Sequence, residues 1–96
     1  MHFIKLKVVE IKDRIAKIQT EDKKEFEILS QYKCDNYIYQ FDKGDNLYAQ
    51  INQDTVFLVT EKNEDGYALW INFIKRKDVL SIESIGTTEE DYNEQE

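Results

Sequence analysis

Residues that could act as a nucleophile and its base are few in this sequence. Nucleophilic catalysis needs a serine, threonine or cysteine that is activated by a neighbouring base, most often a histidine. The chain has one cysteine, Cys34, and one histidine, His2, which directly follows the initiator methionine. The neighbours of Cys34 are Asp35 and Asn36, and neither is a cation that would stabilise a thiolate. We therefore expect a half-buried structural cysteine and a frayed terminal histidine.

Acidic residues could provide general acid–base chemistry or bind a cation. Four aspartates follow one another closely in the middle of the chain: Asp35, Asp42, Asp45 and Asp54. Paired carboxylates can transfer protons, and acids at alternate positions followed by a bidentate glutamate bind calcium. The stretch DKGDN does not fit the calcium pattern, because Lys43 occupies an internal position and no such glutamate follows. Since acids are abundant in this chain, we expect these aspartates to stabilise turns and caps.

Motifs for zinc and phosphate are also missing from the sequence. A structural zinc site takes four Cys, His or acidic ligands at characteristic spacings, and no such spacing occurs. The three glycines, Gly44, Gly66 and Gly86, stand singly, whereas a phosphate-binding loop needs several glycines that open a helix. We therefore predict no metal site, no cofactor and no catalytic residue, and expect that the protein is not an enzyme.

The aromatic and basic residues of the sequence indicate a binding function rather than catalysis. Aromatic residues make up 12% of the chain, and tyrosine and tryptophan are favoured interface anchors because they bury a large area and keep a polar tip. Aromatic rings beside a basic groove also bind single-stranded nucleic acid by base stacking. The candidate binding residues are four aromatic residues and one basic run: Tyr37, Tyr39, Tyr48, Trp70, Lys75, Arg76 and Lys77.

The formal net charge of −7 is concentrated at the carboxyl-terminal end of the sequence. Residues 81–96 contain six acidic residues and no basic one, so that the remainder of the chain is close to neutral. A near-neutral body with an acidic end opposes the phosphate attraction that drives nucleic-acid binding. We expect residues 1–85 to form a single β-barrel domain and residues 86–96 to form a flexible acidic tail.

Composition favours a folded protein of the cytoplasm. Hydrophobic residues make up 41% of the chain, which is too much for a disordered protein. No apolar run approaches the ~18 residues of a membrane span, and the amino-terminal sequence lacks the zones of a signal peptide. A single cysteine suits a reducing compartment. We therefore expect a cytoplasmic location and no membrane partner.

Apolar and polar residues alternate in the segments that carry the candidate residues. This alternation is typical of β-strands. The alternation in residues 3–12 slips by one position after Val8, which predicts a bulge or a sharp bend. Asn63–Gly66 ends in Asp-Gly and predicts a hairpin turn. Asp42–Asn46 predicts another turn, in which Gly44 takes a positive φ and an aspartate bonds the backbone.

One segment, residues 30–41, is compatible with two structures. The aromatic residues alternate from Tyr37 to Phe41, which favours a short strand. Ser30 could instead cap a helical turn that runs through Asn36. The sequence leaves both alternatives open.

About seven short strands with little helix predict an all-β fold. Three meandering strands, an irregular crossing and two further strands fit a small OB-like barrel with an added C-terminal hairpin. An SH3-like or Sm-like barrel is the alternative, because strands of this length do not distinguish the two.

The function expected from these features is that of a non-enzymatic small binding module. It would act through protein–protein contacts, as a regulatory or inhibitory adaptor, by its apolar faces or its sheet edges. The alternative is an OB-type single-stranded nucleic-acid-binding protein, which the charge distribution disfavours. A small hydrolase or metal enzyme is a third hypothesis. The sequence specifies neither the partner nor the oligomeric state.

Overall fold

The computed structural model describes residues 3–34 and 37–88, and the regular structure in those residues is β-strand. The strands are rich in β-branched and aromatic residues, which pack well on a pleated surface. No helix in this part of the chain is long and apolar enough to cross a membrane. In chain order the strands are β1 (Ile4–Lys12), β2 (Ile15–Thr20), β3 (Glu25–Leu29), β4 (Gln31–Cys34), β5 (Tyr37–Gln40), β6 (Asn46–Ile51), β7 (Thr55–Thr60), β8 (Ala68–Arg76) and β9 (Val79–Thr88).

Seven of these strands form one antiparallel sheet in the order β3-β2-β1-β6-β7-β8-β9, and β4 and β5 form a separate hairpin. The large sheet curls into a half-barrel. The prediction of an all-β fold is confirmed, as is the meander of the first three strands. The last two strands pair with each other and continue the sheet beyond β7.

The bend of the sheet begins in β1, where the sequence predicts it. Val8 pairs with Ile18 and Glu10 pairs with Lys17, so that Val9 is an extra residue in the register. A bulge of this kind bends the strand and increases its twist. The first half of β1 also pairs with β6, so this strand joins the two halves of the half-barrel. The predicted bulge is confirmed.

Both predicted turns are present with the expected backbone geometry. Gly44 has a φ of 95° and Gly66 a φ of 87°, values that favour glycine because an L side chain would be strained there. The backbone N–H of Asp42 donates to the carboxylate of Asp45 at 2.8 Å. The side-chain oxygen of Asn63 accepts from the N–H of Tyr67 at 3.0 Å. These side chains stabilise the turns, as expected.

The segment that the sequence leaves open is extended and forms the β4–β5 hairpin. The helical alternative for residues 31–34 and 37–40 is therefore wrong, and Asp35 and Asn36 lie outside the described residues. The physical reason is that a strand places every second side chain on one face, so that alternate side chains of this segment can be buried together. Four side chains of this segment are buried in the main core: Tyr32, Cys34, Tyr39 and Phe41.

The folded body extends three residues further than the sequence predicts. Gly86 and Thr88 belong to β9, where they pair with Trp70 and Ala68. Gly86 is required by packing, because a Cβ atom built there would lie 2.5 Å from Cζ2 of Trp70. β9 therefore includes residues 86–88, which the sequence analysis assigns to the tail. The acidic tail predicted for residues 89–96 lies outside the described residues.

Candidate functional site

An apolar cleft of about 700 Å³ opens at one end of the half-barrel. Both edge strands of the sheet contribute to its lining, β3 through Phe26 and Ile28 and β9 through Val79 and Leu80. Volumes of this size are typical of ligand sites in proteins. We call this end of the half-barrel, which carries the cleft, the open end.

Large apolar side chains stay accessible at the open end. Ile4 of β1 and Ile51 of β6 line the cleft and are exposed, although their strands bury Leu6 and Ala49 on the same face. The apolar face of these two strands therefore extends beyond the buried core and is accessible to solvent at the open end. An accessible apolar surface of this kind, bordered by polar residues, is typical of an interaction site.

The β4–β5 hairpin covers the other end of the half-barrel, which we call the covered end. Phe41 is 1% exposed, and its ring centroid lies 5.6 Å from that of Tyr32 and 5.5 Å from that of Tyr39. Tyr37 packs on Tyr67 at a centroid distance of 5.4 Å and accepts a hydrogen bond from the side-chain amide of Asn63. The hairpin thus docks against the β7–β8 turn. Its β4 strand also contacts β9.

Two phenols at the covered end have shifted pKa values. Burial raises the pKa of Tyr32 to about 12, against the opposing effect of a hydrogen bond with the backbone of Leu29. Burial is also the main cause that raises the pKa of Tyr39, and a hydrogen bond with Thr60 acts in the opposite direction. Removal from water disfavours the charged phenolate. Both rings are therefore neutral packing groups at physiological pH.

The β9 strand borders the cleft and forms one edge of the sheet. It is ten residues long, and no strand among the described residues pairs with its outer edge. Val79 is 61% exposed and Ile82 is 46% exposed. Edge strands present unpaired backbone N–H and C=O groups, and proteins usually protect them with lysine or proline. β9 contains neither residue. Its one charged residue is Glu83, which is an extra residue in the register because Ser84 pairs with Asn72 and Ile82 with Phe73. The stretch from Val79 to Ile82 precedes this bulge.

The predicted basic run lies at the corner between β8 and β9, beside the cleft. Lys75 and Lys77 line the cleft, and Arg76 is exposed. The ammonium group of Lys75 donates to the carbonyl oxygen of Asn52 at 2.8 Å. With Asp78 included, this basic corner (residues 75–78) has three positive charges and one negative charge.

The predicted aromatic residues Tyr48 and Trp70 lie on the outer face of the sheet. They flank Val59 in one cross-strand row, and Trp70 stacks on Phe57 with a centroid distance of 6.4 Å and an interplanar angle of 29°. The Tyr48 hydroxyl donates to the carboxylate of Glu61 at 3.0 Å. The sheet separates this pair from the concave cleft.

The seven predicted residues therefore occupy three places and do not form one site. The basic run lies at the open end, Tyr48 and Trp70 lie on the outer face, and Tyr37 and Tyr39 lie at the covered end. Tyr37 and Tyr39 also line a polar depression of about 460 Å³ with acidic residues that include Asp45 and Glu61.

The residues that sequence analysis missed are apolar ones at the open end: Phe26 and Val79, which line the cleft, and Ile82 on the edge strand β9. A signal for the last two is present in the sequence, since VLSIESIGTT has ten strand-forming positions without lysine or proline. No group of three or more His, Cys, Asp or Glu side chains in residues 3–34 and 37–88 is placed to hold a metal ion. His2 and Asp35 lie outside those ranges.

Comparison of the chain with protein-family models, with curated proteins and with solved structures found no match. We therefore infer the function from the geometry of the two ends of the half-barrel.

Proposed function

We propose that the protein is a non-enzymatic binding module that takes up an extended segment of a partner protein on the edge of β9. The observation that carries this proposal is an edge strand beside an apolar cleft, unpaired in the described residues and without lysine or proline, with Val79 and Ile82 exposed. A guest strand would pair its backbone with β9 and place alternate side chains in the cleft. Strand addition of this kind combines main-chain affinity with side-chain specificity.

Energetic considerations support a guest with two or three apolar side chains. Full burial of one such side chain contributes about 1.5–3 kcal/mol. Ordering a flexible segment on binding costs about 2–5 kcal/mol. Two or three side chains in the cleft therefore offset the ordering cost. The backbone hydrogen bonds contribute against the further loss of translational and rotational freedom on association.

The same proposal includes a regulatory or inhibitory adaptor role in the cytoplasm, since such a role needs a binding edge and no catalytic group. The architecture that we propose is OB-like, with an SH3-like barrel as the alternative. Its support is β1, a bulged strand that pairs with β2 on one side and β6 on the other, as the shared strand of a small barrel does.

A second candidate function, binding of single-stranded nucleic acid, has one observation in its favour. Trp70 stacks on Phe57, and Lys5 lies in the same cross-strand row as Tyr48 and Trp70 on the outer face. Bases stack on such rings. This function requires salt-sensitive binding of an oligonucleotide that Trp70→Ala weakens, and absence of binding at low salt would exclude it.

Selection from a displayed library of random octapeptides tests the proposed function. We expect the wild-type protein to select peptides with alternating apolar residues. Ile82→Lys should weaken their binding at least about tenfold, because a lysine in the middle of an edge strand opposes further pairing. The matched control is Ile38→Lys on the hairpin, where the native side chain is 62% exposed.

The outcome that supports the proposal is loss of binding in Ile82→Lys and retention in Ile38→Lys, with both variants folded by circular dichroism. Failure to select any peptide contradicts it. Equal binding by the two variants also contradicts it, since the guest would then lie elsewhere than on β9.

A further inference from the structure

We infer that the guest segment runs antiparallel to β9 and carries its acidic residues on the carboxyl-terminal side of its apolar residues. This inference rests on the proposed function and adds the direction and the charge pattern of the partner. It is carried by three features of the open end: the accessible part of β9, the charges at its two ends and the pairing mode of the sheet.

The accessible part of β9 is its first half. Val79, Ile82 and Glu83 are exposed there, whereas every residue from Ser84 to Thr88 is buried or half-buried. The hairpin lies at the end of the half-barrel where β9 finishes, because Tyr37 packs on Tyr67 next to the start of β8. A guest therefore has access to residues 79–83, which we call the open stretch.

The two ends of the open stretch carry opposite charge. Its first residue, Val79, follows the basic corner, in which Arg76 and Lys77 are exposed and Lys77 lines the cleft. Its last residue is Glu83, which is exposed. Five strand residues place these ends about 14 Å apart, which exceeds the Debye length of about 8 Å at physiological salt. A guest therefore meets two distinct charged regions.

The pairing mode of the sheet sets the expected direction. Every strand pair in the described residues is antiparallel, and antiparallel pairing is slightly more stable per residue than parallel pairing. An antiparallel guest places its carboxyl-terminal end beside Val79 and its amino-terminal end beside Glu83. Charge complementarity then requires acidic residues after the apolar run, facing the basic corner, and basic residues before it.

Two labelled peptides of identical composition test this inference. Both contain six residues that alternate between threonine and valine or isoleucine, with acetylated and amidated ends. One peptide has two lysines before this run and two glutamates after it, and the other has these flanks exchanged. Both are neutral, so non-directional attraction to the protein is the same. Fluorescence anisotropy should show about tenfold tighter binding of the peptide whose glutamates come last.

A pair of charge-reversed proteins provides the matched control. Arg76→Glu combined with Lys77→Glu should reverse the order of the two affinities, because the corner then attracts lysines. Lys33→Glu combined with Lys43→Glu makes the same change in net charge at exposed positions away from the cleft. It should leave the order unchanged.

Backbone methylation of the peptides separates this inference from the proposed function. Methyl groups on alternate backbone nitrogens block strand pairing without changing any side chain, and should abolish binding. If the two unmethylated peptides bind equally and methylation abolishes binding, the proposed direction of the guest is contradicted, whereas strand addition is supported. Binding that survives methylation overturns strand addition itself. Binding of dodecanoate in the cleft, with neither peptide bound, overturns both and identifies a site for a small amphiphile.

Discussion

The two ends of the half-barrel differ in what covers their apolar face. At the covered end, the β4–β5 hairpin inserts Tyr32, Tyr39 and Phe41 into the core. At the open end, the same sheet presents Phe26 and Val79 around a cleft of about 700 Å³. The strands have the same alternating pattern at both ends, so the difference arises from the position of the hairpin and not from the strands themselves.

This difference separates the end of the sheet that contributes most to stability from the end at which we propose binding. The covered end contains the tightly packed rings that stabilise a chain of 96 residues, a size at which the core is modest. The open end keeps apolar area and backbone groups accessible at a cost in stability. In the proposed function, a bound partner segment would cover the cleft and stabilise the folded state.

The largest expected effect compares one phenylalanine from each end. Phe41→Ala should lower the free energy of unfolding by about 3–5 kcal/mol, because it removes a buried ring that packs on two others. Phe26→Ala at the open end should cost about 1–2 kcal/mol, because the residue is already 38% exposed and loses only part of the energy of full burial. Urea unfolding monitored by circular dichroism measures both. Similar losses would contradict the distinction between the two ends.

The second prediction concerns alkaline stability, to which the covered end contributes through Tyr32. Its pKa is about 12 in the folded protein and 10.0 for the unperturbed group. The neutral phenol of Tyr32 therefore makes its full contribution to stability below pH 10. This contribution is lost as the pH rises towards 12, because the phenol ionises first in the unfolded state. The loss is about 2–3 kcal/mol.

Unfolding of the wild type and of Tyr32→Phe at a series of pH values measures this effect. The difference in unfolding free energy should change between pH 10 and 12 in favour of Tyr32→Phe. Parallel pH dependence of the two proteins would show that the phenol does not ionise differently in the folded state. The cleft lining in the described residues contains no tyrosine, so this effect belongs to the covered end.

The third prediction concerns the covered half of β9, where Trp70 packs on Gly86. Gly86→Ala should lower the free energy of unfolding by about 1–3 kcal/mol, since the added methyl group displaces the indole. The effect should shrink to a few tenths of a kcal/mol when Trp70→Ala is also present. Thermal unfolding of the four proteins in this cycle measures the coupling. If Gly86→Ala lowered the free energy of unfolding equally with and without Trp70→Ala, the contact with Trp70 would not be the cause.

Much of the local structure could be predicted from the sequence. Alternation identified the strands of the large sheet but left the β4–β5 hairpin open, and the slip after Val8 identified the bulge in β1. Gly44 and Gly66 take the positive φ values that their turns require. These features depend on neighbours in the chain, which is why single residues and short patterns specify them.

Part of the candidate site could also be predicted. The basic run from Lys75 to Lys77 lies beside the cleft, as a binding role for it would require. The aromatic candidates were predicted by residue type alone, and type does not distinguish a core ring from a surface ring. Tyr39, a residue of the hairpin, is buried in the core, whereas Trp70 lies half-buried on the outer face.

Outside residues 30–41, the sequence by itself determined the strands, the turns and which side chains share a face, because a strand alternates with a period of two whatever its partners are. Only the tertiary structure decided that β3 and β9 are the edges and that the hairpin covers one end. It also decided that β9 continues to Thr88 against β8. These properties depend on pairing between strands that are distant in the chain, which local patterns do not specify.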